Sequence, residues 1–184
     1  KAPTGAELPD QFRYDPRDPV PTAGGAMIGY DNPMRRQNEN EARADVLTFS
    51  TPALGADIEV TGPIRVFLNV ATSAPCTDFT GLLVDVYPDG AAYNISEGVL
   101  RRRFRAGQRE STEITLELWP TSTVFRKGHR IRLDVSSSNY PRLDRNTNTG
   151  RDIATEMAPV VADQTLRHDL AHPSRLVLPI IPGG

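Results

Sequence analysis

Few side chains in this chain could carry out chemistry. A serine nucleophile of the α/β type needs the tight elbow Gly-x-Ser-x-Gly, because only small flanking residues tolerate that strained turn. The nearest approach is Asn94-Ile95-Ser96-Glu97-Gly98, which has Asn where the first glycine belongs. Asn94, Ile95 and Ser96 also spell an N-glycosylation sequon, which matters only in a eukaryotic secretory setting. Of the three histidines, His129 stands at the head of an alternating run, where a polar ring hydrogen-bonded to backbone is the plain expectation. His168 and His172 are four apart, which on a strand means about 13 Å, too far to share a metal. Asp144, Asn146 and Asn148 alternate ahead of Gly150 and Glu156, close to the calcium-loop pattern, but the glycine and the glutamate each fall one place late. An Asn/Gly turn whose side-chain amides satisfy backbone groups accounts for them better. No pattern calls for a cofactor.

The stretches that would position these residues are strands. In Arg130 to Val135, Ile131, Leu133 and Val135 alternate with Arg130, Arg132 and Asp134, a period of two that buries one face and wets the other. Similar runs are Leu47 and Phe49, Ile58 and Val60, Ile64 to Val70, Leu82 to Val86, and Ile114 to Leu118, the last ending at Trp119-Pro120. Tyr93 to Ile95 and Val99 to Phe104 read as return strands. His168 to Leu170 and Arg175 to Leu178 read as a closing pair, and Asp152 to Ala162 as the best helical candidate. Asn38 to Ala44 fits one helical turn or a loop. With 16 Pro and 14 Gly in 184 residues, turns are many and long helices few. At least eight short strands with turn signals between them fit a two-sheet sandwich.

Composition narrows the partners. A net charge of -2 gives no long-range pull towards phosphate backbones or anionic membranes, so nucleic acid is not expected. The run Arg101-Arg102-Arg103-Phe104-Arg105 has Glu97 and Glu110 nearby and reads as a solvated strand. Cys76 is alone, so no intrachain disulfide forms, and a buried inert thiol is expected. The longest apolar run, Leu176 to Ile181, is broken by Pro179 and falls far short of the about 20 residues of a spanning helix. A soluble protein is expected, and its compartment, cytoplasmic or exported, is not encoded.

Several motifs in order carry a resemblance. They are Tyr14-Asp15-Pro16-x-x-Pro19-Val20-Pro21-x-x-Gly24-Gly25, Asp45-Val46-Leu47, Leu83-Val84-Asp85-Val86-Tyr87-Pro88-Asp89-Gly90, Gly98-Val99-Leu100-Arg101 and His172-Pro173-Ser174-x-Leu176-Val177-Leu178-Pro179. To these add Phe125, Gly128 and His129, and Ser136-Ser137-Ser138 running into Asn139, Tyr140 and Pro141. The sequence resembles the C-terminal domain of the cocaine esterase, X-Pro dipeptidyl-peptidase and α-amino-acid ester hydrolase family over nearly its whole length. The resemblance implies an all-β, galactose-binding-like jelly-roll β-sandwich, packed on a separate α/β-hydrolase domain that carries the catalytic Ser, Asp and His. It also implies that the segment after the paired glycines lines the acyl pocket, with Met27, Ile28 and Tyr30 the nearest matches and Gly29 standing where the esterase has a bulky aromatic residue; read from its residues alone, this short apolar patch packs on the domain's own core.

These readings divide the chain into a Pro-rich extended N-terminal arm and linker, 1–44, and a sandwich, 45–184. The first residue is Lys1 rather than Met, which fits a fragment or processed product. The expected function is that of the non-catalytic accessory domain of a serine hydrolase acting on an ester, acyl amide or X-Pro peptide, with its own catalytic domain as partner. Whether the assembly is a homo-oligomer is a question for sedimentation. The rival from another class is a free-standing carbohydrate-binding module, for which Trp119, five Tyr and six Phe would have to supply exposed platforms.

Overall fold

The computed structural model describes residues 3, 5, 7–25, 34–105 and 110–182. In chain order the elements are β1 (Asp10–Tyr14), α1 (Asn38–Glu41), β2 (Leu47–Ser50), β3 (Ile58–Thr72), β4 (Cys76–Val86), β5 (Ala92–Arg103), β6 (Thr112–Phe125), β7 (Arg130–Ser136), β8 (Ala162–Arg167), β9 (Arg175–Val177) and β10 (Ile180–Ile181). All pairings between these strands are antiparallel. One sheet runs β1-β8-β3-β6 and the other β2-β7-β4-β5. That interleaving of early and late strands is the order of an eight-stranded jelly roll built from two Greek keys.

The period-two pattern accounts for the interior. Ile64, Val66, Leu68 and Val70 of β3 and Ile114, Leu116 and Leu118 of β6 meet Phe79 and Leu83 of β4 and Ile131, Leu133 and Val135 of β7 in one buried cluster. Strand β3 organises the larger sheet. Its one edge pairs with β6 from Ile58 to Val70, while β8, β9 and β10 line the other edge in turn, at Asn69–Thr72, Arg65–Phe67 and Glu59–Val60.

Several elements differ from the sequence expectation for identifiable reasons. Trp119-Pro120 does not end β6, which continues to Phe125. Ile64 faces Leu118 and Gly62 faces Thr121, so Trp119 and Pro120 together oppose Pro63. Placing the two prolines in a bulge removes them from the ladder that they could not have completed. The two return strands expected at Tyr93 and Val99 are one, β5, with Ile95 as the extra residue between the partners of Leu83 and Val84.

The helix expected over Asp152 to Ala162 is absent: Asp152 accepts from the N–H groups of Thr155 and Glu156 for a single turn, and the chain then straightens into β8. β8 ends at Arg167, so His168 to Leu170 follow the closing strand rather than form it. Within the expected arm, Asp10–Tyr14 is a strand paired with β8 along its whole length, and Tyr14 is fully buried in the core. Its alternation, Phe12 and Tyr14 inward against Gln11 and Arg13 outward, was hidden among the prolines.

Candidate functional site

Residues 16–25 and 34–45 form a strap across the outer face of the four-stranded sheet. The fastenings are backbone and amide hydrogen bonds. Thr22 N–H donates to the Tyr140 carbonyl at 2.7 Å, Tyr140 N–H to the Val20 carbonyl at 2.9 Å, and Val20 N–H to Ser138 Oγ at 2.8 Å. Pro21 and Tyr140 form a parallel bridge, and the Tyr140-Pro141 peptide is cis. Gln37, which is buried, donates its amide to the carbonyls of Ala23 and Arg35 and to Asn94 Oδ1. Asn94 Oδ1 also accepts from Arg35 N–H, which occupies the sequon side chain in the interior. Arg43 closes the strap, its guanidinium reaching both the Asp18 carbonyl and the Asp45 carboxylate.

Between strap and sheet lies a cavity of about 400 Å³, bounded by Gly24, Gly25 and Asn40 above, Thr80, Leu82 and Asp134 below, and Glu97, Asn139 and Arg142 at the side. Glu97 is held by Asn139 Nδ2 at 2.7 Å and by Arg142 Nη1 at 3.0 Å. Gly25 has φ +93°, and a β-carbon there would run into Glu97 Oε1, so both the backbone angle and the contact demand glycine.

Alternation places Asp134 on the wet face, yet it is only 6% exposed because the strap covers it. Burial, with the Glu41 carboxylate adding to it and Arg132 opposing it, pushes its carboxyl up to about 8. Glu41 binds Arg132 at 2.7 Å. Asp134 Oδ1 and Glu41 Oε1 are buried without a hydrogen-bond partner among the described residues.

The expected site residues distribute as follows. Met27, Ile28 and Tyr30 lie outside the described residues, but the flanking Gly25 and Met34 both border the rim near Glu97 and Trp119. Phe125 is fully buried in the core, and Gly128 turns the chain at φ +85°. The His129 ring bonds a carboxylate rather than backbone: Nδ1 lies 2.9 Å from Asp85 Oδ1, and the ring packs at a 41° tilt against Tyr87, with centroids 4.4 Å apart. Asn139, Tyr140 and Pro141 sit where the strap is fastened, which gives that part of the signature a structural role. In the Asp144, Asn146, Asn148 loop, Asn146 donates to Asp78 Oδ1 and Asn148 to the Val160 carbonyl. The amides thus point into the protein, and no group of three or more His, Cys, Asp or Glu placed to hold a metal occurs among the described residues.

A hydrolytic centre of the Ser-His-Asp kind needs a serine hydroxyl on the far nitrogen of an Asp-oriented histidine. His168 pairs with Asp10 and His172 with Asp169, as His129 does with Asp85, and among the described residues none has a serine hydroxyl as partner. Among the described residues no hydroxyl nucleophile completes these three His–Asp pairs.

Residues 1–177 match the family described as the X-Pro dipeptidyl-peptidase C-terminal non-catalytic domain. The chain belongs to that family. It is 42% identical to cocaine esterase of Rhodococcus sp. (strain MB1 Bresler) over 190 residues, covering 97% of this chain and 33% of that protein. An α-amino acid ester hydrolase superposes with a TM-score of 0.88 at 25% identity, over 98% of this chain and 34% of that one. An aminopeptidase from the marine sediment archaeon Thaumarchaeota archaeon shares the fold at a TM-score of 0.88 and 24% identity, over 99% and 34%. The family domain thus spans about a third of the length of these relatives. None of them supports the carbohydrate-binding reading. No helix among the described residues is long and apolar enough to cross a membrane.

Sequence reasoning missed Gln37, Glu41, Glu97, Asp134 and Arg142. The signal available was the polar density of Asn38 to Glu41 ahead of a strand, which gives no hint of what it covers.

Proposed function

We infer that this chain is the accessory β-sandwich of a serine hydrolase that cleaves an ester, acyl amide or X-Pro peptide, and that it packs on a catalytic α/β-hydrolase domain of the same polypeptide. The observation that carries this is the family match over nearly the whole chain, in relatives three times its length, combined with the incomplete His–Asp pairs. By resemblance to the family, Met27, Ile28 and Tyr30 are the residues that would line the acyl pocket of the catalytic domain, with Gly29 standing where the esterase has a bulky aromatic residue.

The chain alone is expected to be inert towards a nitrophenyl ester, and the full polypeptide to turn it over with saturable kinetics abolished by a serine-directed inhibitor. Inhibitor-sensitive turnover by the chain alone would overturn the reading. Within the full polypeptide, Gly29→Phe is expected to raise KM for a bulky acyl ester several-fold and to leave that for an acetyl ester nearly unchanged.

A further inference from the structure

Among the described residues, Glu41 Oε1, Asp134 Oδ1, Asn148 Oδ1 and Gln164 Oε1 are buried without a hydrogen-bond partner, and of these residues Asp134 is the one that lines the strap cavity. Its neighbours follow from the register. Asp134 pairs with Leu82 across β7 and β4, and Leu82 with Glu97 across β4 and β5, so the three stand in one row on the outer face. Two strand spacings put the backbones that carry the two acids about 10 Å apart. Glu97 already has donors in Asn139 and Arg142. For Asp134 Oδ1 there is no such donor, because Arg132, the guanidinium that faces it, bonds Glu41 Oε2 and Ser50 Oγ instead.

The fold gains nothing from this acid. A buried carboxyl without a donor destabilises the structure that encloses it, and a polar group retained although it costs stability marks a binding site more often than a scaffold. The cavity, about 400 Å³, is of small-molecule size. Val20, Pro21, Val46, Leu82 and Leu143 give it aliphatic walls. Its charge lies at the floor, where the Asp134 and Glu41 carboxylates face the single guanidinium of Arg132, while Glu97 and Arg142 balance each other at the side. A bare inorganic cation would leave the aliphatic walls unused, and a neutral amide would leave the charge unused. An aliphatic amine uses both.

We propose that the strap cavity is a binding site for a small primary alkylammonium ion, whose N–H groups bond Asp134 Oδ1 and whose alkyl chain lies along the wall formed by Leu82 and Val46. This does not rest on the hydrolase reading. Binding is tied to ionisation of the acid. Burial, with Glu41 adding to it and Arg132 opposing it, raises the Asp134 carboxyl to about 8, and the Glu97–Arg142 pair contributes no net charge. The ligand selects the ionised form, so affinity should rise about tenfold per pH unit below 8 and level off above it, with about one proton released per ligand bound near pH 6.5.

The test titrates n-butylammonium chloride into the full polypeptide by calorimetry at about pH 6.5 and at about pH 8, in two buffers of different ionisation enthalpy. Sodium chloride and tetramethylammonium chloride, the second a cation without N–H groups, are titrated at matched concentration. Asp134→Asn removes the charge and keeps the shape; Leu82→Phe fills the cavity and keeps the charge. Saturable binding with proton release is expected for the parent, and an affinity at least tenfold lower for both variants. An amine site elsewhere in the polypeptide would be untouched by either substitution, so parental affinity in Asp134→Asn would overturn the proposal. Equal heats from sodium or tetramethylammonium chloride, or no saturable heat at pH 8, would overturn it as well. Binding without proton release near pH 6.5 would do the same, and that result needs no variant.

Discussion

The two faces of the four-stranded sheet are covered in opposite ways. At its inner face Phe79 and Leu83 meet Ile114, Leu116 and Phe125 of the other sheet in a continuous apolar layer. Against its outer face lies the strap, held by amides, carbonyls and the Glu41–Arg132 pair around a cavity floored by a buried acid. The inner layer is non-directional and tolerates any side chain of the right volume. The outer layer depends on each donor finding its acceptor, so it is weaker in sum and more exact in position.

Substitutions can break this contrast in graded steps. The largest effect belongs to the inner layer: Phe125→Ala is expected to lower global stability by about 3–5 kcal/mol in urea unfolding, because a fully buried ring leaves a cavity that a close-packed interior cannot fill. Asp134 comes next and acts through pH. Its folded pKa, about 8, lies above the unfolded value near 4. The stability it allows is complete below pH 4, declines as the pH rises towards 8 and is flat beyond. Asp134→Asn removes that decline, so the variant should gain on the parent between pH 5 and 9 by a few kcal/mol, with about 5 kcal/mol as the ceiling. Equal pH slopes in the two proteins would show that the strap does not desolvate the acid.

Gln37→Ala sharpens the comparison from the strap's side. It deletes three donated hydrogen bonds and should cost roughly 1–2 kcal/mol. Hydrogen exchange should quicken at residues 20–25 and 35–37 while β3 and β6 keep their protection. Trp119→Ala should change the stability of this chain by no more than about 0.5 kcal/mol, since its indole is exposed. A larger loss would mean that the tryptophan packs on its own domain.

The inner layer was legible in the sequence and the outer one was not. Ile131, Leu133 and Val135 declare their face by alternation, and the same rule sent Asp134 to solvent because period two says nothing about what else the chain lays over a face. The strap leaves no periodic trace: Gln37 and Asn94 are polar residues in polar surroundings, and their pairing spans 57 positions. β1 was masked because prolines on both sides suggested irregular chain, although its two core residues, Phe12 and Tyr14, alternate correctly. β8 was missed for the opposite reason, a polar strand whose Gln164 is buried by bonding Thr77 and Ser137 rather than by being apolar. The motif residues Asn139, Tyr140 and Pro141 signalled the family, but only the hydrogen bonds at Val20 and Thr22 reveal that they anchor the strap.

The way β3 is flanked has a consequence for synthesis. Both of its edges are satisfied only by segments made later, β6 on one side and β8, β9 and β10 on the other. While the ribosome is still adding residues beyond Thr72, this 15-residue strand has an open flank, and non-local pairing of this kind is slow to form. The nascent domain therefore stays adhesive until β9 and β10 emerge, so a message truncated after Arg167 should yield aggregate rather than a shortened, folded product.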